Sequence, residues 1–175
     1  MILSRATIET PLGPMLALAS ETGLCALEFT GPKKRLTRLE ARMKNHFPPH
    51  EVVDGEGPVI RKTRTWLSKY FNGASADVDI PLDMHGADFE KRVWQALLRI
   101  PAGETRSYGS IAKELSTIGA SRAVGLANGA NPIAIIVPCH RVIGSSGSLT
   151  GYGGGLERKK WLLDHERRWN RSRLF

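Results

Sequence analysis

A cysteine and a histidine stand side by side at Cys139 and His140, directly after Pro138. A thiol close to an imidazole that is held by a carboxylate has a lowered pKa and supplies thiolate as a nucleophile. The aliphatic run before them, residues 133–137, predicts a strand, and neighbours on a strand point to opposite faces. The two side chains can therefore cooperate only if the chain turns at this point or a water molecule bridges them. An inert buried cysteine is the alternative.

A glycine-rich segment and a carboxylate follow this pair. Residues 145–155 are polar and carry one aromatic side chain, Tyr152, which is typical of a loop that can close over a bound group. The segment lacks the spacing of a nucleotide phosphate-binding loop, so nucleotide hydrolysis is unsupported. Residues 156–166 predict a helix with Glu166 near its end. By residue type alone, Glu166 is an ordinary surface carboxylate.

Two short helices are predicted on a basic segment ahead of the cysteine. Ser107 can cap a helix over residues 108–115, and a glycine-containing turn leads to a second helix over residues 121–129. This pattern is typical of a helix-turn-helix, although many helix pairs without a DNA role share it. Alanine and glycine make up four of the nine residues of the second helix, in which the side chains of Arg122 and Asn128 stand out. Its small residues permit close approach of a neighbouring helix or of a DNA groove.

The predicted elements indicate an α+β chain with a division into residues 1–85 and 86–175. The second part is mostly helical, with a helix over residues 89–100 and a winged-helix-like helix-turn-helix. The first part is a small antiparallel sheet plus helix, ending in a linker at residues 83–86. Its predicted strands are residues 6–10, 15–19, 24–29 and 78–80, and its predicted helices are residues 33–47 and 59–71.

The charge is unevenly distributed along the chain. The total is +8, of which residues 1–85 carry 11 basic and 10 acidic side chains and residues 86–175 carry 14 and 7, so the net charges are +1 and +7. A polyanionic partner is therefore expected on the second part. The longest aliphatic run is too short to cross a bilayer, and the first residues lack the features of a secretory signal. Two cysteines are too few for a disulfide scaffold, so we expect a cytoplasmic protein.

The motifs of the second part occur in a recognisable order. Over residues 89–166 the chain resembles the C-terminal domain of the O6-alkylguanine-DNA alkyltransferases (methylated-DNA–protein-cysteine methyltransferases). The first 85 residues resemble that family only loosely, through a turn at residues 10–14. The motifs that carry the resemblance are GETRSYG at 103–109, ASRAVG at 120–125, NP at 131–132, PCHRV at 138–142, GYGGG at 151–155 and WLLDHE at 161–166.

The resemblance implies a mechanism and a set of residues. Such proteins rotate an alkylated guanine out of duplex DNA and transfer the alkyl group to a cysteine, here Cys139. His140 would take the thiol proton through a water molecule, Glu166 would orient His140, and Asn131 would brace the cysteine segment. The resemblance further implies a set of DNA contacts, in which Tyr108 would press on a phosphate and Arg122 would fill the space that the base leaves. The residues of this set are Tyr108, Arg122, Ser107, Ala123 and Asn128. A second set, Tyr152, Gly153 and Val142, would surround the flipped base, and the carbonyls of Cys139 and Val142 would accept hydrogen bonds from its amino group.

The same resemblance bears on cofactors, partners and stoichiometry. Some relatives have a serine after the pocket tyrosine, whereas Gly153 keeps only the amide, so stabilisation of the leaving oxygen falls on backbone donors. No cofactor and no metal are expected, because Cys25, His46 and His50 have no ligand spacing. S-methylcysteine has no good leaving group, so each molecule reacts once. The expected partner is duplex DNA that contains O6-alkylguanine, with O4-alkylthymine as a possible second lesion, bound by a monomer that can cluster on DNA.

Two other functions compete with alkyl transfer. The first is a non-catalytic sensor of alkylated DNA that uses the helix pair alone. Non-catalytic relatives replace the cysteine of the PCHR motif, and this chain keeps Cys139. The second is a Cys-His hydrolase, which would turn over acyl substrates and would leave Tyr108 and Arg122 without a role.

Overall fold

The structure is a computed structural model that describes residues 1–117 and 119–174, with the side chains described up to residue 169. The chain divides into two compact units. The first unit comprises Met1–Gly86 with Pro132–Ala134, and the second comprises Ala87–Asn131 with Ile135–Phe175. The described part of the chain contains no helix that is long and apolar enough to cross a membrane.

A four-stranded sheet forms the centre of the first unit. Strands β1 (Ile2–Ile8), β2 (Met15–Ala19) and β3 (Leu24–Phe29) pair antiparallel in sequence order, as predicted, although β1 begins four residues and ends two residues before the predicted strand at residues 6–10. A fourth strand, β4 (Glu51–Asp54), which the sequence analysis did not predict, pairs parallel to β1 and completes the order β3-β2-β1-β4. All six residues of β3 are buried, including Glu28, whose carboxylate pairs with Arg35 over 2.9 Å.

Two helices complete this unit, and both predicted helices are confirmed. Helix α1 (Lys33–His46) packs Leu39 and Met43 into a cluster with side chains of the sheet. Helix α2 (Pro58–Phe71) begins with proline at its first position, where a missing backbone N–H costs nothing. The strand predicted at residues 78–80 is wrong: this segment is irregular, and Leu82 instead forms a single bridge with Leu24.

The helices of the second unit surround a buried tryptophan. Helix α3 (Asp88–Leu98) carries Trp94, whose indole nitrogen donates to the carbonyl of Ala127 over 2.9 Å. Helices α4 (Tyr108–Glu114) and α5 (Ser121–Gly129) form the predicted helix pair. The Ser107 hydroxyl accepts from the Ser110 N–H over 3.1 Å, so the predicted N-cap of α4 is confirmed.

The run at residues 133–137 is not the predicted strand. Ile133 forms one bridge, and the next residues turn, with Ile135 in the left-handed region at a φ of 69°. A 3₁₀ helix at Cys139–Arg141 follows and leads into strand β6 (Val142–Ile143). This strand pairs parallel with β5 (Arg106–Ser107). An aliphatic run without periodicity marks burial, and burial alone does not distinguish a strand from a packed turn.

The last element is helix α6 (Leu156–Leu174), which extends eight residues beyond the predicted end. Its first residues follow Gly155, whose φ of 98° suits glycine. Leu162 and Leu163 are buried on its inner side. Lys159 and Glu166 are also buried on this helix, and their seven-residue separation of two turns puts them on one face.

Candidate active site

The 3₁₀ helix brings the predicted nucleophile and its neighbours against α6. Cys139, His140 and Arg141 are consecutive in this tight helix, and all three side chains are buried. His140 Nε2 lies 2.6 Å from Glu166 Oε1, and both side chains are fully removed from solvent. The chain therefore turns at this point, which is one of the two arrangements left open by the sequence, and His140 of the histidine–carboxylate pair directly follows Cys139 in the chain.

Ionisation states follow from this burial and these contacts. Burial opposes ionisation of Glu166, but hydrogen bonds and charge from His140 and Arg141 outweigh it and lower the pKa of Glu166 to about 2. Burial lowers the pKa of His140 below its usual value, against the attraction of Glu166. The ionised carboxylate accepts from Nε2–H, which leaves Nδ1 as the proton acceptor of a neutral imidazole. Among the described residues no group hydrogen-bonds to this buried Nδ1.

Arg141 completes the environment of the carboxylate. Its Nε lies 2.9 Å from Glu166 Oε2, and its Nη2 lies 2.9 Å from Oε1. A further donor, Nη1, reaches the carbonyl of Ile100 over 2.6 Å. This fork holds both carboxylate oxygens, so Glu166 has little freedom to rotate away from His140.

Two asparagine side chains brace the backbone around the thiol. Asn131 Nδ2 donates to the carbonyl of Val137 over 2.8 Å, which fits the bracing role expected for it. Asn128 differs from its expected role as a DNA contact: it is buried in α5, and its Nδ2 donates to the carbonyl of Cys139 over 3.3 Å. The reason is that position 128 lies on the inner face of α5 with Val124 and Ala127.

The segment that would surround a base, residues 142–153, begins with β6. Tyr152 and Gly153 are half-buried near its end, and Val142 is fully buried at its start. The Val142 carbonyl, which the resemblance assigns to a base amino group, accepts from Lys159 Nζ over 2.6 Å. The same ammonium donates to the carbonyl of Thr150 over 2.9 Å. We call residues 143–150 the base loop.

The outer face of α5 carries small residues together with Arg122 and the exposed Leu126. Arg122 and Ala123 are exposed, as expected for DNA contacts. Tyr108, at the start of α4, is half-buried, and its ring lies against Gly125, where an added Cβ would make an ordinary van der Waals contact at 3.8 Å. The Tyr108 hydroxyl donates to the carbonyl of Thr150 over 3.3 Å.

Comparisons with known proteins identify the family of this chain. A family model described as the 6-O-methylguanine DNA methyltransferase DNA binding domain matches residues 88–168, and one described as the ribonuclease-like domain of the same family matches residues 3–84. The chain belongs to this methyltransferase family. The resemblance stated from the motifs is confirmed.

Individual members of the family are similar to this chain over nearly its whole length. A methylated-DNA–protein-cysteine methyltransferase of Mycobacterium tuberculosis is 47% identical over 161 residues, covering 92% of this chain and 90% of the relative. One of Methanosarcina acetivorans is 46% identical over 92% of this chain and 96% of its own length. The crystal structure of Mycobacterium tuberculosis OGT in complex with DNA has a TM-score of 0.77 at 44% identity, covering 97% of this chain and 94% of that one. The α+β fold class is confirmed.

Three side chains of this methyltransferase-family chain stand out in the structure although the sequence analysis gave them no role. Arg141 grips Glu166, Lys159 is buried at the base loop, and Leu126 is 74% exposed beside Arg122 on α5. The burial of Lys159 could have been predicted from its seven-residue spacing to Glu166, which puts both residues on one face of the helix. An exposed leucine carries no such signal, because isolated apolar surface residues are common.

The two cysteines of the chain occupy contrasting environments. Cys25 is fully buried in β3, where burial raises the pKa of its thiol to about 11. It therefore lacks thiolate at neutral pH and is unsuited to nucleophilic chemistry. Among the described residues, no group of three or more His, Cys, Asp and Glu side chains is placed to hold a metal ion.

Proposed function

We propose that this protein repairs DNA by transferring a methyl group from O6-methylguanine to the sulfur of Cys139. The observation that carries the proposal is the buried contact between His140 Nε2 and Glu166. This contact leaves His140 Nδ1 without a hydrogen-bond partner among the described residues, on the residue that directly follows Cys139. The family's DNA-binding domain matches the part of the chain that contains these residues. Residues 86–175 perform binding and transfer, and residues 1–85 serve as a scaffold.

The proposed reaction begins with the thiol proton. It passes through a water molecule to His140 Nδ1, and Glu166 stabilises the resulting imidazolium. The Cys139 sulfur attacks the methyl carbon as the bond from that carbon to guanine O6 breaks, and the electron pair stays on the guanine. The guanine then takes up the proton that His140 received from the thiol, with Tyr152 as a hydrogen-bond donor and the Gly153 amide facing the oxygen. Thiol and O6-methylguanine become thioether and guanine, and the protein is consumed.

Access to the base requires that the nucleotide leave the stack. Arg122, with Ala123 beside it on the small-residue face of α5, enters the duplex and fills the vacated space. Tyr108 and Ser107 contact the flanking phosphates at the start of α4. The base then lies against Val142, Tyr152 and Gly153, whose segment follows the nucleophile in the chain.

The proposed partner is duplex DNA that contains O6-alkylguanine, with O4-alkylthymine as a possible second lesion. A net charge of +7 on residues 86–175 supports electrostatic binding to DNA phosphates, which weakens with salt and does not depend on DNA sequence. We propose a monomer that acts in the cytoplasm and can cluster on DNA. The sensor alternative is not favoured, because relatives at 47% and 46% identity are named methyltransferases.

Intact mass spectrometry tests the proposal directly. After incubation with excess duplex that contains O6-methylguanine, the protein should gain a single methyl group, and the gain should stop at one group per molecule. Peptide mapping should place it on Cys139. An otherwise identical duplex with unmodified guanine is the control. A protein that gains no methyl group, or that processes many lesions per molecule, contradicts the proposed function.

Replacing Arg122 with alanine should separate base extrusion from chemistry. Transfer from duplex DNA should slow about 10- to 100-fold, because extrusion costs a few kcal/mol and the arginine offsets part of that cost. Transfer from the free O6-benzylguanine base should change little, since no extrusion is needed. The measurements are single-turnover rates on both substrates.

Lys113→Ala is the matched control for Arg122→Ala, because it removes one exposed positive charge from the neighbouring helix α4. It should weaken DNA binding slightly and leave the transfer rate from bound duplex unchanged. Equal losses on duplex and free base in Arg122→Ala would mean that Arg122 supports the fold rather than extrusion.

A further inference from the structure

Helix α5 carries a leucine whose side chain projects into solvent. Leu126 is 74% exposed, the largest exposed fraction among the large apolar side chains of the described residues. It lies four residues after Arg122, and at about 3.6 residues per turn the two side chains project from one face of the helix. The buried face of α5 consists of Val124, Ala127 and Asn128 and does not include Leu126. Single exposed apolar residues are common, so the argument depends on what surrounds this one.

Two glycines surround Leu126 on the same face of α5. Gly125 is half-buried and Gly129 is exposed, and neither has a positive φ. A Cβ on Gly125 would make only an ordinary contact with the ring of Tyr108 at 3.8 Å, and among the described residues a Cβ on Gly129 would meet nothing within 4 Å. Glycine lowers the stability of a helix relative to alanine. Because neither packing nor backbone conformation within the protein requires these glycines, the bare face is suited to a surface that approaches from outside.

The shape of this face fits the minor groove of DNA. Helix α5 lies within residues 88–168, which match the family's DNA binding domain. A helix with ordinary side chains is about 10–12 Å across and suits the major groove, whereas the minor groove is only about 6 Å wide. A helix therefore comes close to the floor of the minor groove only where its side chains are small. Of the exposed residues of α5, only Arg122 and Leu126 have side chains larger than that of serine.

The chemistry of leucine determines which base pairs it tolerates at the floor of this groove. In the minor groove A·T pairs present acceptors alone, and G·C pairs add the N2 amino group of guanine. That amino group fills part of the floor and needs an acceptor. The Leu126 side chain has no acceptor, so an amino group covered by it loses its hydrogen bond to water without a replacement. Leucine is also among the apolar side chains that minor-groove proteins insert as wedges.

We infer that Leu126 is a specificity-determining residue for alkyl transfer, which contacts the minor-groove floor beside the extruded nucleotide and disfavours a G·C pair there. The inference rests on the proposed function, in which Arg122 fills the space left by the base. Four residues of helix rise about 6 Å, close to two base-pair steps of about 3.4 Å. The contacted pair is therefore the first or the second from the lesion, on one side.

Exchange of guanine for inosine in the DNA isolates this contact. An inosine·C pair lacks the minor-groove amino group and keeps the major-groove edge of G·C. Inosine or guanine is placed in turn at each neighbouring position on both sides of one O6-methylguanine in a short duplex. Affinity is measured by fluorescence anisotropy with Cys139→Ser protein, in which no transfer occurs. Guanine should weaken binding about 5- to 20-fold at the first or second position on one side, because one amino group is left without an acceptor, and should have little effect elsewhere.

Leu126→Asn is the decisive variant in this Cys139→Ser protein. Asparagine is close to leucine in size, and its side-chain carbonyl accepts a hydrogen bond from the guanine amino group, so the preference for inosine should disappear. The weaker pairing of inosine with cytosine is the same for every variant and cancels in the comparison. Val78→Asn makes a similar change at an exposed position outside residues 88–168 and should keep the preference. Because both side chains are exposed, both variants should fold, which circular dichroism checks.

The same duplexes show whether the contact matters for the reaction. In protein that keeps Cys139, single-turnover transfer at protein concentrations below the Kd should depend on the flanking pair about 5- to 20-fold, as binding does. Leu126→Asn should lose this dependence. Leu126→Ala should lose it as well, through slower transfer from the inosine duplexes, because the shorter side chain gives up the apolar contact and leaves the amino group hydrated.

Two sets of outcomes separate this inference from the proposed function. Affinity and transfer that do not depend on the flanking pair, or a dependence that Leu126→Asn retains, overturn the inference even where Cys139 accepts the methyl group. A dependence of affinity that disappears in Leu126→Asn, combined with no methyl transfer in protein that keeps Cys139, supports the groove contact and contradicts the proposed function.

Discussion

We expect the largest effect from Cys139→Ser, which should abolish methyl transfer and preserve binding to alkylated duplex DNA. A serine hydroxyl is far less acidic than a thiol and is a poor nucleophile toward a methyl carbon, even beside a neutral imidazole. Cys139 is almost fully buried, so the smaller oxygen changes the packing little. Single-turnover mass spectrometry measures transfer, and fluorescence anisotropy with a labelled O6-methylguanine duplex measures binding.

Cys25→Ser is the matched control for this substitution. Cys25 lies in β3 of the first unit with its thiol pKa raised to about 11, so its replacement should leave the rate and stoichiometry of transfer unchanged. Transfer of a methyl group to Cys139→Ser protein would show that another residue accepts it. Loss of transfer in Cys25→Ser with an intact fold would show that the assignment to Cys139 is incomplete.

Glu166→Gln should produce the second-largest effect. The amide can still accept from His140 Nε2–H, but it cannot stabilise an imidazolium, so transfer should slow about 10²- to 10⁴-fold. Duplex binding should weaken much less, since Glu166 is buried and faces no solvent. Removing the carboxylate also leaves Arg141 without its charged partner, at a cost of about 3–5 kcal/mol in the free energy of unfolding. Rates and urea unfolding at pH 7 measure the two effects.

The pH dependence of stability gives an independent check on Glu166. Its folded pKa of about 2 lies below its usual value of 4.5, so its contribution to stability is complete above pH 4.5. That contribution is lost as the pH falls from 4.5 toward about 2. The difference between wild type and Glu166→Gln in the free energy of unfolding should therefore shrink over this range.

Asp164→Asn is the control for Glu166→Gln on the same helix. Asp164 is partly exposed and pairs with Lys160 and Arg167 at the surface, where ion pairs contribute little. Asp164→Asn should leave unchanged both the rate of methyl transfer and the loss of unfolding free energy at acidic pH. If Glu166→Gln weakens duplex binding as strongly as it slows transfer, Glu166 has a structural role only.

The elements with strong local signals were predictable from sequence. Helix α5 has its predicted bounds, Ser121 to Gly129, and it begins directly after the glycine-containing turn that separates it from α4. The Ser107 cap was also predictable, since a serine that precedes a helix accepts from the first turn. The place of Glu166 beside His140 followed only from the family resemblance, because 26 residues separate them.

Elements that depend on distant partners were not predictable. Strand β4 has four exposed residues and exists because β1 offers it a parallel edge, a pairing with no local signature. Asn128 was expected on DNA, but the phase of α5 turns it inward toward the Cys139 carbonyl. The role of Arg141 depends on the approach of α6, which a single sequence does not reveal.

The backbone just before the nucleophile is held in an unfavourable conformation. Ile135 is a β-branched residue with a φ of 69° and is 1% exposed. Such a residue costs on the order of 1–3 kcal/mol and persists only where its surroundings impose it. The hydrogen bond from the Asn131 side chain to the Val137 carbonyl spans position 135 and holds this turn of the backbone together. The turn that positions the nucleophile therefore carries a cost in stability, and a substitution that relieves this cost at position 135 would be expected to reduce the accuracy with which the reactive sulfur is placed.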